Sequence, residues 1–543
     1  MGSGAALAFL GPTLAGGILS SCASLKHKGV RARGLPFEPI EPSFSDDLIL
    51  ARGFKYNVLA KWDDPLNARG DRFGTHCDFT AFIPLDPAHP DDGLLWVNHE
   101  YHDILFASGY HYDPKSKAPR KREDVLKEMK TVGGSIIRVR KDPGTGAWSL
   151  VYDDPHNRRI DAATPISLVT PRPIRGSNTA LGTFGNCGGG VTPWGTILTC
   201  EENYHEYIGE RDYAGGRPGG ILTEGCFYGW ETVLDYPPEH YGWVVEVNPR
   251  TGAAKKLTSL GRFGHESATV RRAHDGRCVV YSGDDSVDRC LYKFIADRPG
   301  TLEHGTLYVA DTHHGRWIPL GLKKNPALRA FFEDDLDVLL RARLAALYAG
   351  GTPLDRPEDI DVDPKTGAVF VSLTNNPARG NHFGSILKIE ERGGDPLSLE
   401  FKASTFLAGG PESGFACPDN LAFDRSGNLW MVTDISTYKA GQEPYASFKN
   451  NGLFYIPMSG PHAGRALQVG SAPVGAEFTG LSFTPDGSTL FMSVQHPGED
   501  SVALDNPKSR WPGGGAAGKA GARDIPRSSV VAIQGDLLNR VSG

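Results

Sequence analysis

The sequence predicts an all-β fold, a six-bladed β-propeller with helical and loop insertions, and three observations carry that prediction. The chain holds 67 glycines and 39 prolines in 543 residues, a composition that favours many short strands and tight turns over helix bundles. Hairpin-like stretches of one design recur six times, each opened and closed by a polar residue. Further strand patterns lie between several of them, which is what a four-stranded blade repeated about an axis requires.

In chain order, residues 1–24 are uncharged and rich in Ala, Gly and Leu, the composition of an export signal or lipoprotein-type leader. Leu19-Ser20-Ser21-Cys22 resembles a lipoprotein processing site, with Cys22 as the lipid-bearing residue. Residues 25–60 read as a lead-in segment ending in a strand, and 61–543 as a single β-propeller catalytic domain. The first hairpin runs from Cys77-Asp78 through a Pro/Asp-rich turn to Asn98-His99-Glu100, and the second from Cys187-Gly188-Gly189-Gly190 to Cys200-Glu201-Glu202. The third opens at His265-Glu266 and closes at Gly283-Asp284-Asp285. The fourth joins Arg356-Pro357-Glu358 to Thr374-Asn375 across a Pro-Lys-Thr-Gly turn. The fifth goes from Pro418-Asp419 to Thr433-Asp434, and the sixth from Glu477 to Gln495-His496. Strand patterns at 135–139, 242–247, 385–389 and 452–456 supply outer strands, and 529–533 reads as a closing strand.

Insertions at about 203–240 and 322–350 interrupt the repeats. The first carries Tyr204, Tyr207, Phe227, Tyr228 and Trp230, which suits a lid or a loop with its own small core. The second, over 326–349, has Leu328, Phe331, Phe332, Leu336, Leu339, Leu340, Leu344 and Leu347 at helical spacing, a packing face. A shorter helix is read over 124–130.

Net charge is −7 with no basic block, which argues against a nucleic-acid partner. No C-x-x-C pair supports a zinc finger, and there is no G-x-S-x-G, Walker loop or H-E-x-x-H. What remains is the rim. In a propeller the inner strands line the central channel, so the residues opening the hairpins meet at one mouth. They are Asp78, Cys187, Glu266, Glu358, Asp419 and Glu477, five carboxylates and a thiol. Carboxylates crowded round an axis repel one another, and cations bound among them remove that cost. Oxygen ligands suit calcium and a thiolate suits a softer metal such as iron. Arg356, two residues before Glu358, faces the same side in extended chain, and its guanidinium fork suits a phosphate. These parts point to metal-assisted hydrolysis. A calcium-dependent lactonase-type hydrolase on a propeller, or a non-catalytic binding platform, stays open; neither needs a thiol beside two glutamates.

At these residues the chain resembles the PhoX-type alkaline phosphatases, secreted bacterial enzymes dependent on calcium and iron. The matching segments are 185–190, 199–203, 264–266, 282–285, 356–359, 417–420, 477–480, 494–498 and 509–512, spread over roughly 45–535. The resemblance implies a propeller holding an iron pair bridged by an oxide and surrounded by calcium ions. It implies Cys187, Glu266 and Glu358 at the iron, Glu201, Asp284, Asp419 and Glu477 at calcium, and Arg356 on the phosphate. It also implies small-molecule phosphoester substrates attacked by a metal-bound oxygen. A monomer, exported to the periplasm, the outer membrane or the medium, is expected.

Overall fold

The computed structural model describes residues 35–109, 120–214, 216–513 and 525–541; the leader 1–24, with Cys22, lies outside them. Six sheets are arranged as blades, antiparallel apart from one parallel pairing, Lys255–Leu257 with Ser167–Val169, in the outer part of the second, and all six expected hairpins form their innermost pairs. The inner strands are Cys77–Pro84, Asn186–Val191, Thr269–Arg272, Pro357–Val362, Pro418–Phe423 and Glu477–Phe483. Each lies beside the next round the ring, and the last lies beside the first. The second strands of the blades are apolar on both faces because each blade is covered by its neighbours. Leu94, Leu95, Trp96 and Val97 in the first blade and Leu429, Trp430, Met431 and Val432 in the fifth are all fully buried.

The lead-in segment is part of the ring. Its strand Phe54–Lys61 pairs antiparallel with Ser529–Gly535, so the N-terminal side of the chain supplies the outermost strand of the last blade. Ile49–Leu50 adds to the outer edge of the fifth blade by pairing with Gly470 and Ser471. Joining strands from both ends of the chain in the last blade closes the ring without a free seam.

The helical readings hold in outline and differ in detail. The short helix spans Arg122–Glu128. The region 326–349 is not one helix but a 3₁₀ turn, Pro326–Ala330, and two helices, Asp335–Leu340 and Ala342–Ala349. Asp334 caps the first of these helices, its side chain accepting from the Asp337 amide. Leu328, Phe332, Val338 and Ala345 bury against the third blade, whereas Phe331 and Leu347 stay half exposed, because the break rotates them off the packing face. The insertion after Glu202 builds its own core from Tyr204, Tyr207, Tyr228 and Trp230 with Phe184 and Tyr241. Among the described residues no helix is long and apolar enough to cross a membrane.

Candidate metal centre

The mouth of the central channel is built by one local device used repeatedly. In the first blade Cys77 pairs with His99 and Thr80 with Val97, so Asp78 and Phe79 together face the single residue Asn98. The same β-bulge sets Cys187-Gly188, Glu358-Asp359 and Asp419-Asn420 against one partner residue each. A bulge bends the strand and re-aims its side chains. Here it turns the opening residue of the hairpin into the channel mouth. Two residues earlier the backbone is left-handed in five blades: His76 (φ 38°), Gly185 (φ 64°), Arg356 (φ 57°), Cys417 (φ 52°) and Gly475 (φ 66°). His76, Arg356 and Cys417 adopt this conformation without being glycine, the kind of strain that gathers at functional sites.

All six opening residues, Asp78, Cys187, Glu266, Glu358, Asp419 and Glu477, line one cavity of about 190 Å³. A second tier comes from the residues that close the hairpins: Glu100, Glu202, Asp285, Asp434 and His496. The register explains this tier, since Cys77↔His99, Asn186↔Glu201, His265↔Asp284 and Pro418↔Thr433 are paired and the next residue on each strand faces the mouth.

Two expectations are corrected by that register. Glu201 does not reach the cavity; it points into the second blade, where its Oε1 lies 2.5 Å from Lys256 Nζ with both side chains fully buried. Asp284 points toward the helical insertion and accepts from Arg343, 2.6 Å away. Their neighbours Glu202 and Asp285 take the positions at the mouth. Successive strand residues face opposite ways, so one of two adjacent acids enters the site and the other must find a cation in the sheet. The corresponding positions in the first and fifth blades, Glu100 and Asp434, carry a single acid each, and aligning the hairpins on them would have picked out Glu202 and Asp285. Asn375, which closes the fourth hairpin, donates to Cys417 Sγ at 3.3 Å.

At the centre the Cys187 thiol donates to Glu266 Oε1 at 2.8 Å and lies 3.4 Å from Asp78 Oδ2. Ligand atoms of Asp78, Glu100 and Cys187 all fall within 4.8 Å of one another, as do those of Cys187, Glu202 and Glu266. Glu358 is in neither triad; it sits beside Arg356, whose guanidinium is 2.7 Å from its Oε1 in an ion pair without hydrogen-bond alignment. Arg356 also forks onto Asp285, Nε to Oδ1 at 3.0 Å and a terminal nitrogen to Oδ2 at 2.8 Å. The backbone at the thiol is held by Asn98, whose Nδ2 donates to the carbonyls of Cys187 and Gly188, the latter at 3.0 Å. Gly188 is required for the fit, because a Cβ there would lie 1.2 Å from the Glu266 carbonyl oxygen. Of the histidines near the mouth, His496 lines the cavity 3.3 Å from Glu477. His265 is held between Ser282 Oγ and the Gly261 carbonyl, and His99 between the Thr75 carbonyl and Ser135 Oγ, so both serve the framework.

The electrostatics call for cations. Burial pushes the Asp78 carboxyl up to about 6. Burial, and then the charges of neighbouring acids, push Glu100, Glu202, Glu266, Asp419 and Glu477 well above the usual carboxylate range. Asp78 Oδ1 is buried with no hydrogen-bond partner. A buried acid that finds neither donor nor cation is costly, and metal ions are the compensation this donor set fits.

Comparison with known proteins agrees with this geometry. The family profile described as "Alkaline phosphatase PhoX" matches residues 35–498. The solved structure of Pseudomonas fluorescens PhoX in complex with vanadate, a transition state analogue, is 32% identical with a TM-score of 0.79, covering 92% of this chain and 98% of that one. A protein of unknown function from Dyadobacter fermentans is 10% identical at a TM-score of 0.41, covering 89% of this chain and 100% of that one, too distant to carry an argument. No curated protein matches the chain in sequence. With the profile spanning most of the chain and the vanadate-bound relative above 30% identity over nearly its full length, this chain belongs to the PhoX alkaline phosphatase family.

Proposed function

We propose that this phosphatase works with iron at the Cys187 triads and calcium among the outer carboxylates. The chain itself is a metal-dependent phosphoester hydrolase of its family. The observation that supports iron is the sharing of one thiol by two overlapping acid triads. A thiolate selects a softer transition metal, and two triads meeting at one sulfur suit a pair of ions. Cys187, Glu266, Glu202, Asp78 and Glu100 would hold them. Glu358, Asp419, Asp434 and Glu477 offer only oxygen, the preference of calcium.

When bound, the metal ions activate the attacking water and neutralise charge on the phosphoryl oxygens. The chain's own residues prepare the rest. Cys187 must lose the proton it shares with Glu266 Oε1, and Glu266 is the nearest acceptor. Arg356, partly exposed at the mouth and fixed by Asp285, presents a guanidinium to a phosphoryl oxygen and stabilises charge there as the P–O bond breaks. The closely packed glycines beside Cys187 keep the inner strands together, so the ligand positions are set before substrate arrives.

Elemental analysis of purified protein, followed by hydrolysis of a chromogenic phosphomonoester with and without a calcium chelator, tests this reading. Full activity after both iron and calcium are stripped would refute it. Cys187→Ala is expected to lose iron and turnover while keeping the wild-type circular dichroism spectrum. The leader's composition and its Leu19–Cys22 stretch support export, with Cys22 as a lipid-attachment point. Labelling with a radioactive fatty acid tests the anchor.

A further inference from the structure

We propose that a groove opening beside the metal cavity lodges the leaving alcohol, and that it selects phosphoesters of uncharged, apolar alcohols, aromatic ones above all. This rests on the phosphoester reading and adds its substrate class. The groove has a volume of about 440 Å³ and is walled by the loops that leave the second strands of four blades at the mouth. It is continuous with the metal cavity: Ser436 and Glu499 line both. The two also share an aromatic wall, since Tyr101 of the cavity stacks on Tyr228 of the groove with ring centroids 6.0 Å apart.

Apolar and aromatic side chains share the groove's surface with acids and histidines. Phe227, Tyr438 and Val502 line it while 47%, 65% and 81% exposed. Large apolar side chains left this open beside a catalytic cavity gain by covering an apolar ligand. Its charge is one-sided. Asp103, Glu499 and Asp500 line it, and no Lys or Arg does so among the described residues. Asp500 is already paired with Lys508 Nζ at 3.5 Å, which leaves Asp103 and Glu499 to repel a second phosphate or a carboxylate on the alcohol, whereas the transferred phosphoryl group is drawn to Arg356 within the cavity. Discrimination between esters therefore falls on the alcohol.

The test compares benzyl phosphate, ethyl phosphate and fructose 1,6-bisphosphate as substrates of the full metal-loaded protein. Benzyl and ethyl alcohols are similar leaving groups, so their ratio reports binding of the ring. The unsubstituted protein should prefer benzyl over ethyl by roughly tenfold in kcat/KM. In Tyr438→Ala/Val502→Ser, both exposed positions, that ratio should fall several-fold through loss of kcat/KM for benzyl phosphate. Inhibition by the unreactive benzylphosphonate should weaken in parallel. Asp500→Lys should raise kcat/KM for the bisphosphate relative to ethyl phosphate. Turnover of all three esters with an unaltered benzyl-to-ethyl ratio in the double variant would overturn the groove alone. Absence of turnover of all three esters by the unsubstituted protein would overturn the phosphatase reading and the groove with it.

Discussion

Gly188→Ala is the sharpest probe of how the metal centre is held. A Cβ built on Gly188 lies 1.2 Å from the carbonyl oxygen of Glu266 and 2.4 Å from its carbonyl carbon. Both atoms are backbone, so no rotamer change can relieve the overlap. Restoring a normal contact of about 3.5 Å requires the neighbouring inner strand to retreat by roughly 2 Å. Overpacking of this kind costs about 1–3 kcal/mol, or more where backbone must move. The displaced segment carries Glu266, whose Oε1 is 2.8 Å from Cys187 Sγ, and ligand geometry tolerates far less than such a shift. The variant should therefore melt earlier, lose most of its bound iron and retain little phosphomonoesterase activity. Gly220→Ala, where a Cβ meets nothing within 4 Å, is the matched control and should behave as wild type. Full metal content, turnover and melting temperature in Gly188→Ala would show that the strand spacing does not hold the centre.

Adjacent acids give the next contrast. Glu201→Gln leaves Lys256 buried without its anion and should destabilise the fold by about 3–5 kcal/mol, measured by denaturant unfolding. Glu202→Gln should leave the melting temperature of the metal-free protein unchanged or higher and lower metal content and turnover; the reverse pattern would contradict the register. Arg356→Lys removes the fork that Asp285 orients, and kcat/KM for a phosphomonoester should fall roughly hundredfold with metal content intact. A pH effect follows from Asp78. Its folded carboxyl titrates at about 6 rather than at its ordinary value of 3.8, because burial disfavours the charged form. The folded metal-free protein thus holds that proton longer than the unfolded chain, and stability drains away as pH rises from about 4 through about 6. Metal ions offset the charge. The melting-temperature gap between metal-loaded and chelator-treated protein should therefore widen over that range, and a constant gap would contradict the account.

Much of this molecule could be read from local pattern. Alternation, turn residues and the sixfold recurrence specify short hairpins, and radial repetition then brings Asp78, Cys187, Glu266, Glu358, Asp419 and Glu477 to one mouth without further information. What local pattern leaves undecided is parity. At Glu201-Glu202 and Asp284-Asp285 either acid could face the axis, and the answer depends on strand register, on the bulges beside the opening residues and on distant partners. Lys256 lies outside that hairpin, and Arg343 comes from the helical insertion.

Composition and hairpin pattern alone determined the propeller and its inner ring of acids, because both follow from interactions between residues close in sequence. Only the tertiary structure decided which of two neighbouring carboxylates enters the site and which is neutralised in the sheet. It also decided which loops form the groove beside the metals. A strand side chain reverses its facing with each residue, and the cations and rings that settle the choice arrive from parts of the chain 50 or more residues away.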